Sequence, residues 1–373
     1  MKYYIIAGEA SGDLHGSNLI KALKKRDTDA QFRVWGGDLM QAAGGNLRKH
    51  YRDLAFMGFI EVVKNLRIIL KNIDFCKSDI VDYQPDVLVL IDYPGFNLRI
   101  AKWAKQQGLK VIYYISPQLW AWHASRVHDI KQSVHKMLVI LPFEPDFYRQ
   151  YDYDVTFVGH PLLDVIENFQ PDTTFLSRHQ LDTRPIIALL PGSRRQEISR
   201  MLETMLSLTR HFADYQFVIA GAPAQPAHFY DAILAKTNSQ DVKLVQNETY
   251  HLLSYARAAL VTSGTATLET ALFNVPEVVC YKGNPLSYAI ARRLVGKRIR
   301  FISLVNLIMG RSLVPELIQD DMNAARLQAA LTDILQPEKT QAMQAGYAEL
   351  RQRLGQAGAS GRAAKAIVKL MRG

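Results

Sequence analysis

The chain has 373 residues, 48% of them hydrophobic, which is more than one core usually organises and points to two α/β domains. Its 45 Lys and Arg against 35 Asp and Glu give a net charge of +10 and a pI of about 9.4, which favours phosphate-bearing or anionic-lipid partners; nucleic acid is disfavoured by the lack of zinc-finger spacing, aromatic RNA-binding signature or long basic block. No apolar run approaches the roughly 20 residues of a spanning helix, the N-terminal stretch lacks the form of a signal peptide, and Cys76 and Cys280 have neither metal nor disulfide spacing, so a cytosolic protein is expected.

In chain order, short β-type runs alternate with helical patterns: Tyr3 to Ala7, Phe32 to Trp35, Val87 to Ile91, Val111 to Ile115, Lys136 to Leu141 and Val155 to Val158. A polar stretch, Asn168 to Arg184, precedes a second series: Ile186 to Leu190, Phe217 to Ala220, Val242 to Val245, Ala258 to Val261 and Glu277 to Tyr281. From about residue 320 the pattern is helical, with a break at Gly355 to Gly361 before a last basic helix. This alternation predicts two tandem Rossmann-like domains, over 1–166 and 167–345, and a helical tail over 346–373 that can pack back on the N-terminal domain.

Ligands of open α/β sheets sit at the carboxyl ends of the strands, so the strand-exit turns hold the candidate residues. Glu9, Ser11, Gly12, Asp13 and His15 follow the first run without forming a G-x-G-x-x-G dinucleotide turn. Asp92 follows the third run, where Pro94 and Gly95 enforce a turn. Gly192, Ser193, Arg194 and Arg195 follow Leu190 and join a glycine bend to guanidinium groups suited to phosphate oxygens. After Val261, Ser263 is the predicted N-cap of a helix; Gly264 and Thr265 offer backbone donors to a phosphate, and Glu269 is placed to take two ribose hydroxyls. A nucleoside diphosphate in the second domain and a carboxylate base, Asp92 or Glu9, in the first suit a glycosyltransferase of two Rossmann-like domains facing a cleft.

Other polar residues read as structural. His15, His123 and His160 lie in separate turns rather than in a metal set, with His15, near Asp13, the one histidine suited to a functional part; Glu144 reads as a turn or helix-start residue, and Arg195 as a solvated neighbour of Arg194. Trp120 and Trp122 suit packing or acyl contact equally. The candidate acids are not arranged as a D-x-D pair, so neither a metal nor another cofactor is called for.

Eight segments, in order, resemble the motifs of the lipid-A-disaccharide synthases: Gly8 to Asp13, Met57 to Val62, Ser116 to Trp122, Leu141 to Glu144, Phe157 to Pro161, Leu190 to Arg194, Ser263 to Glu269 and Asn306 to Arg311. The resemblance implies a GT-B fold and an inverting transfer that joins UDP-2,3-diacylglucosamine to 2,3-diacylglucosamine 1-phosphate. It implies Asp92 as the catalytic aspartate, Arg194 as the arginine of the diphosphate, Glu269 as the ribose glutamate, and Asn306 within the nucleotide-lining segment. Relatives commonly carry a second acid where this chain has Gly95, which leaves Asp92 the only acid of its turn.

Two segments mix apolar and basic residues, Ala55 to Lys71 and Tyr288 to Arg300, and suit either burial or contact with an anionic membrane. A peripheral place on the cytoplasmic face of the inner membrane of a Gram-negative cell follows from the resemblance, and a homodimer that swaps the C-terminal tail stays open. The alternatives are a GT-B enzyme acting on UDP-N-acetylglucosamine, as a 2-epimerase or muramyl-lipid transferase, and a non-catalytic nucleotide-sugar or lipid-binding module.

Overall fold

A computed structural model describes residues 1–53, 66–122, 124–283 and 300–373. The Met57 to Val62 motif, the first part of the Ala55 to Lys71 segment, His123, the Trp122 side chain and all of the Tyr288 to Arg300 segment but Arg300 lie outside the described residues. The chain forms two compact units, Met1–Asp164 with Leu354–Gly373, and Val165–Arg353.

The first unit is built on a parallel sheet. Its strands are β1 (Lys2–Ala7), β2 (Gln31–Gly36), β3 (Asn46–His50), β4 (Val87–Ile91), β5 (Lys110–Tyr114), β6 (Lys136–Val139) and β7 (Thr156–Phe157), in spatial order β3-β2-β1-β4-β5-β6-β7. Every residue of β4, Val-Leu-Val-Leu-Ile, is buried. Helices cover both faces of such a sheet, so its strands read as continuous apolar runs instead of alternating ones. The order reverses direction between β1 and β4, where Ala7 pairs with Ile91. The residues after these two strands, Gly8-Glu9 and Asp92-Tyr93, therefore leave the sheet side by side, at the switch point where doubly wound folds hold ligands.

The second unit repeats the plan with β8 (Ile186–Leu190), β9 (Gln216–Gly221), β10 (Lys243–Gln246), β11 (Ala256–Thr262), β12 (Glu277–Tyr281) and β13 (Glu316–Ile318), in the order β10-β9-β8-β11-β12-β13. Here the reversal falls between β8 and β11, and Leu190 pairs with Val261. The Gly192-Ser193-Arg194 turn and the Ser263-Gly264-Thr265 turn consequently emerge next to each other.

β3 and β13 do not figure among the strands expected from sequence. Both lie at sheet edges and are largely half-exposed; β3 is mostly polar and β13 (Glu-Leu-Ile) is only three residues long, so neither shows a sustained apolar run, and their conformation comes from pairing with β2 and β12.

The last helix, Ala359–Arg372, packs against the helix Ala10–Lys24 within the first unit. Asp164 fixes its start by accepting from the backbone N–H groups of Gly358, Ala359 and Ser360, satisfying donors that a helix N-terminus leaves without partners.

Candidate active site

In the first unit, Asp92 and Tyr93 both adopt left-handed backbone angles, with φ of 45° and 49°. For side-chain-bearing residues this costs about 1–2 kcal/mol each. The helix Pro94–Gln106 starts at once, with Pro94 in its first turn. Asp92 is half-buried and Glu9, at the N-cap of the helix Ala10–Lys24, is half-buried too. Burial, and secondly the negative charge of Glu9, push the Asp92 carboxyl up to about 6, against the Tyr93 backbone N–H, which favours the ionised form. Among the described residues a Cβ at Gly95 would meet nothing within 4 Å, so these residues leave room there for a second acid that the sequence does not supply.

The turn after β1 divides by role. Ser11 is exposed, whereas Gly12 is buried, and a Cβ there would sit 3.0 Å from the Ala7 Cβ. Asp13 corrects its grouping with the site. Its buried carboxylate accepts from the N–H groups of Gly37 at 2.7 Å, Met40 at 3.0 Å and Leu39 at 3.1 Å, and so caps the helix Asp38–Ala42. With those bonds made it is a structural acid.

The first unit holds further polar and aromatic groups, of which Glu144 is close enough to Asp92 to feel its charge. Glu144 accepts from the backbone of Leu141 at 2.8 Å and Ile140 at 3.1 Å, and burial pushes its carboxyl up to about 7. His15 and His160 are buried and held neutral, with burial lowering them to about 4 and about 3. Trp120 packs edge-on against Phe143, with ring centroids 5.1 Å apart. Among the described residues there is no group of three or more His, Cys, Asp or Glu that could hold a metal ion.

In the second unit, Gly192 has φ of 109°, and a Cβ there would lie 2.9 Å from the Glu197 carboxylate. That carboxylate accepts from the Arg194 N–H at 3.4 Å and pairs with the Arg194 guanidinium at 3.2 Å. Arg194 thus projects from the first residues of the helix Arg195–Leu206 with 62% of its side chain exposed. Arg195 is not simply a solvated neighbour: its guanidinium stacks on the Phe229 ring at 4.7 Å. Ser193 is exposed beside them.

The helix Thr265–Leu272 is capped one residue later than expected. Ser263 is still in extended chain, its N–H bonded to the Cys280 carbonyl at 3.1 Å and its hydroxyl donating to the Ile302 carbonyl at 3.0 Å. The N-cap is Gly264, with φ of 159° and ψ of −161°, a conformation essentially reserved for glycine. Among the described residues a Cβ on Gly264 would meet nothing within 4 Å, and Gly264 and Thr265 are exposed, so none of these residues covers the start of the helix. A helix start of this kind attracts phosphate through its donors and its dipole.

Glu269 lies just over one turn into the same helix, half-buried, and Tyr250 donates its hydroxyl to Glu269 Oε1 at 2.7 Å. Burial raises the Glu269 carboxyl and the Tyr250 hydrogen bond opposes that shift. Tyr250 belongs to the helix Thr249–Tyr255, after β10, and no motif marks it in the sequence.

Asn306 requires a second correction. Its amide nitrogen donates to the Val314 carbonyl and to Glu316 Oε1, both at 2.9 Å, and its oxygen accepts from the N–H groups of Leu313 at 2.7 Å and Val314 at 3.0 Å. Both amide hydrogens and both lone pairs are thereby used. Fully buried, Asn306 frames the segment leading into β13 and has nothing left to offer a nucleotide.

The sequence matches the family described as Lipid-A-disaccharide synthetase over residues 3–370. It is 42% identical to the lipid-A-disaccharide synthase of Syntrophus aciditrophicus, covering 99% of this chain and 97% of that one. It is 39% identical to that of Geobacter metallireducens, with 98% and 96% covered. Among solved structures, S. aureus MnaA with UDP superposes with a TM-score of 0.71 at 12% identity, over 100% of this chain and 97% of that one. The kitacinnamycin glycosyltransferase superposes with a TM-score of 0.64 at 15% identity, over 99% of each chain. These two likenesses establish the fold, two Rossmann-like domains of the GT-B kind. Matched along nearly its whole length, the chain belongs to the lipid-A-disaccharide synthases, hexosyltransferases of lipid A biosynthesis.

Proposed function

We propose that the protein transfers the sugar of UDP-2,3-diacylglucosamine to 2,3-diacylglucosamine 1-phosphate, releasing UDP and forming a β-1,6-linked disaccharide with inversion at the anomeric carbon. The acceptor 6-hydroxyl oxygen attacks C1 of the donor while its proton passes to the Asp92 carboxylate. The bond from C1 to the diphosphate oxygen breaks, and its electron pair leaves with UDP. Arg194 and the backbone donors of Gly264 and Thr265 stabilise the charge that develops there. Glu269, steadied by Tyr250, accepts from the ribose hydroxyls. Glu9 raises the proton affinity of Asp92.

Asp92 carries this reading. It is a half-exposed carboxylate at the carboxyl end of β4, lifted to about 6, so that at neutral pH it is ionised yet more basic than an ordinary aspartate.

Contact with an anionic membrane surface belongs to the same proposal. No described helix is long and apolar enough to cross a membrane. On the helix Leu66–Tyr83, however, Ile68, Leu70, Phe75 and Val81 are 43–60% exposed, among Arg67, Lys71 and Lys77, and the whole chain carries +10. Exposed apolar side chains with cations among them suit the interface of a bilayer.

The experiment is incubation with both acylated sugars. The expected result is one UDP released per disaccharide formed, and no epimerisation of UDP-N-acetylglucosamine. Absence of both disaccharide and UDP would overturn the proposal.

A further inference from the structure

We infer that Asn97 and Tyr113 are positioning residues for the base: together they hold the main chain of Asp92 in its left-handed turn and so fix where its carboxylate points. The inference rests on the reading of Asp92 as the base. Its starting point is the backbone. Asp92 and Tyr93 are consecutive residues with side chains, and both have positive φ, 45° and 49°. Such a pair persists only where the surroundings over-determine it.

The restraint on Asp92 comes from three bonds to its own peptide groups. Its N–H donates to the Tyr114 carbonyl at 3.2 Å. Its carbonyl accepts from the Tyr113 hydroxyl at 2.5 Å and from Asn97 Nδ2 at 2.8 Å. A carbonyl has two lone pairs, so this one is saturated. Asn97 Nδ2 also donates to the Ile91 carbonyl at 3.2 Å, which ties the turn to the last residue of β4.

Both donors come from rigid places. Tyr113 is on β5, in register with Leu90 of β4, and is fully buried. Asn97 is fully buried in the first turn of the helix Pro94–Gln106, and its own N–H donates to the Tyr93 carbonyl at 3.0 Å. Two buried polar side chains thus converge on the carbonyl of the one residue in the turn that carries an acid. A helix start needs no such convergence, because the backbone bonds to the Tyr93 carbonyl and Pro94 already set it. Neither side chain touches substrate in this scheme. Each acts by keeping the Asp92 carboxylate in place, where small displacements cost rate far more than affinity.

The test compares Tyr113→Phe and Asn97→Ser with wild type, alone and on the Asp92→Asn background, by steady-state kinetics with both substrates and by thermal unfolding. Either single variant should lower kcat by about tenfold or more while both KM values stay within about threefold. On the Asp92→Asn background neither should lower the residual rate further, because a residue that acts through Asp92 has nothing left to position. A kcat within about twofold of wild type in both variants would overturn the inference. So would an equal fractional loss on the two backgrounds, which marks a general structural role. If one variant does not fold, the other decides by the same criteria. Asp92→Asn alone separates the two levels: near-wild-type activity there overturns the base itself, whereas an inactive Asp92→Asn with fully active Tyr113→Phe and Asn97→Ser overturns only the positioning role.

Discussion

Tyr250 donates its hydroxyl to Oε1 of Glu269 at 2.7 Å, a bond between the helix after β10 and the helix after β11. Burial favours the neutral form of Glu269, and Tyr250 favours the charged form, the better acceptor for ribose hydroxyls. Tyr250→Phe should weaken UDP binding by about tenfold, the equivalent of about 1.4 kcal/mol. Loss of the donor raises the Glu269 pKa further, so the deficit should widen as pH falls. Calorimetric titration with UDP at acidic and alkaline pH checks this; equal affinities for the two proteins at acidic pH would count against the role given to Tyr250.

Arg194 and Arg195 are neighbours with different surroundings. Arg194 is largely exposed and pairs with Glu197, while Arg195 lies on the Phe229 ring. Arg194→Ala should lower kcat/KM by about 10² to 10³, and Arg194→Lys should restore little, since a point charge does not replace a planar fork on a diphosphate. Arg195→Ala should stay within about fivefold of wild type and lose a little thermal stability through the lost stacking. Comparable kinetic losses in both alanine variants would contradict this division.

The elevated pKa of Asp92 makes a paired prediction about activity and stability. Activity should fall on the acidic side of about pH 6 as the carboxylate takes up its proton. For stability the sign follows from the folded value of about 6 lying above the ordinary 3.8. The native state binds the proton more tightly, so the stabilisation is fully present below pH 3.8 and is lost as pH rises through about 6. Asp92→Asn should therefore melt above wild type at pH 7.5, and the gain should vanish under acid conditions. Melting curves across pH test this; an Asn variant less stable than wild type at pH 7.5 would be the contrary result.

Asp13 should behave as a structural residue. Asp13→Ala leaves three backbone donors near Gly37, Leu39 and Met40 without their acceptor. A loss of about 2–4 kcal/mol in unfolding free energy is expected, with kcat of the folded protein near wild type. Full stability with lost turnover would contradict the structural role and give Asp13 a part in catalysis.

The central strands were legible because burial on both faces writes itself as an apolar run: Val87–Ile91 and Ile186–Leu190 begin and end where the sequence places them. β3 and β13 were not, since an edge strand can be polar, as β3 is, or very short, as β13 is, and take its conformation from its neighbour. Around the sites, sequence marks which residues leave the strand ends, as with Asp92, Arg194 and Glu269. It does not mark which polar groups the backbone has already claimed. Asp13, Ser263 and Asn306 all resemble ligand contacts, and all three bond to main chain in the folded protein. Tyr250 escapes notice for the opposite reason: it reaches its glutamate from a different βα unit.

The assignment of Asp92 as the base is tested most directly by the turnover of Asp92→Asn with both acylated sugars at pH 7.5, measured beside its affinity for UDP. Disaccharide formation should fall by at least about a thousandfold while UDP affinity stays within about threefold of wild type. Turnover within about tenfold of wild type would contradict it.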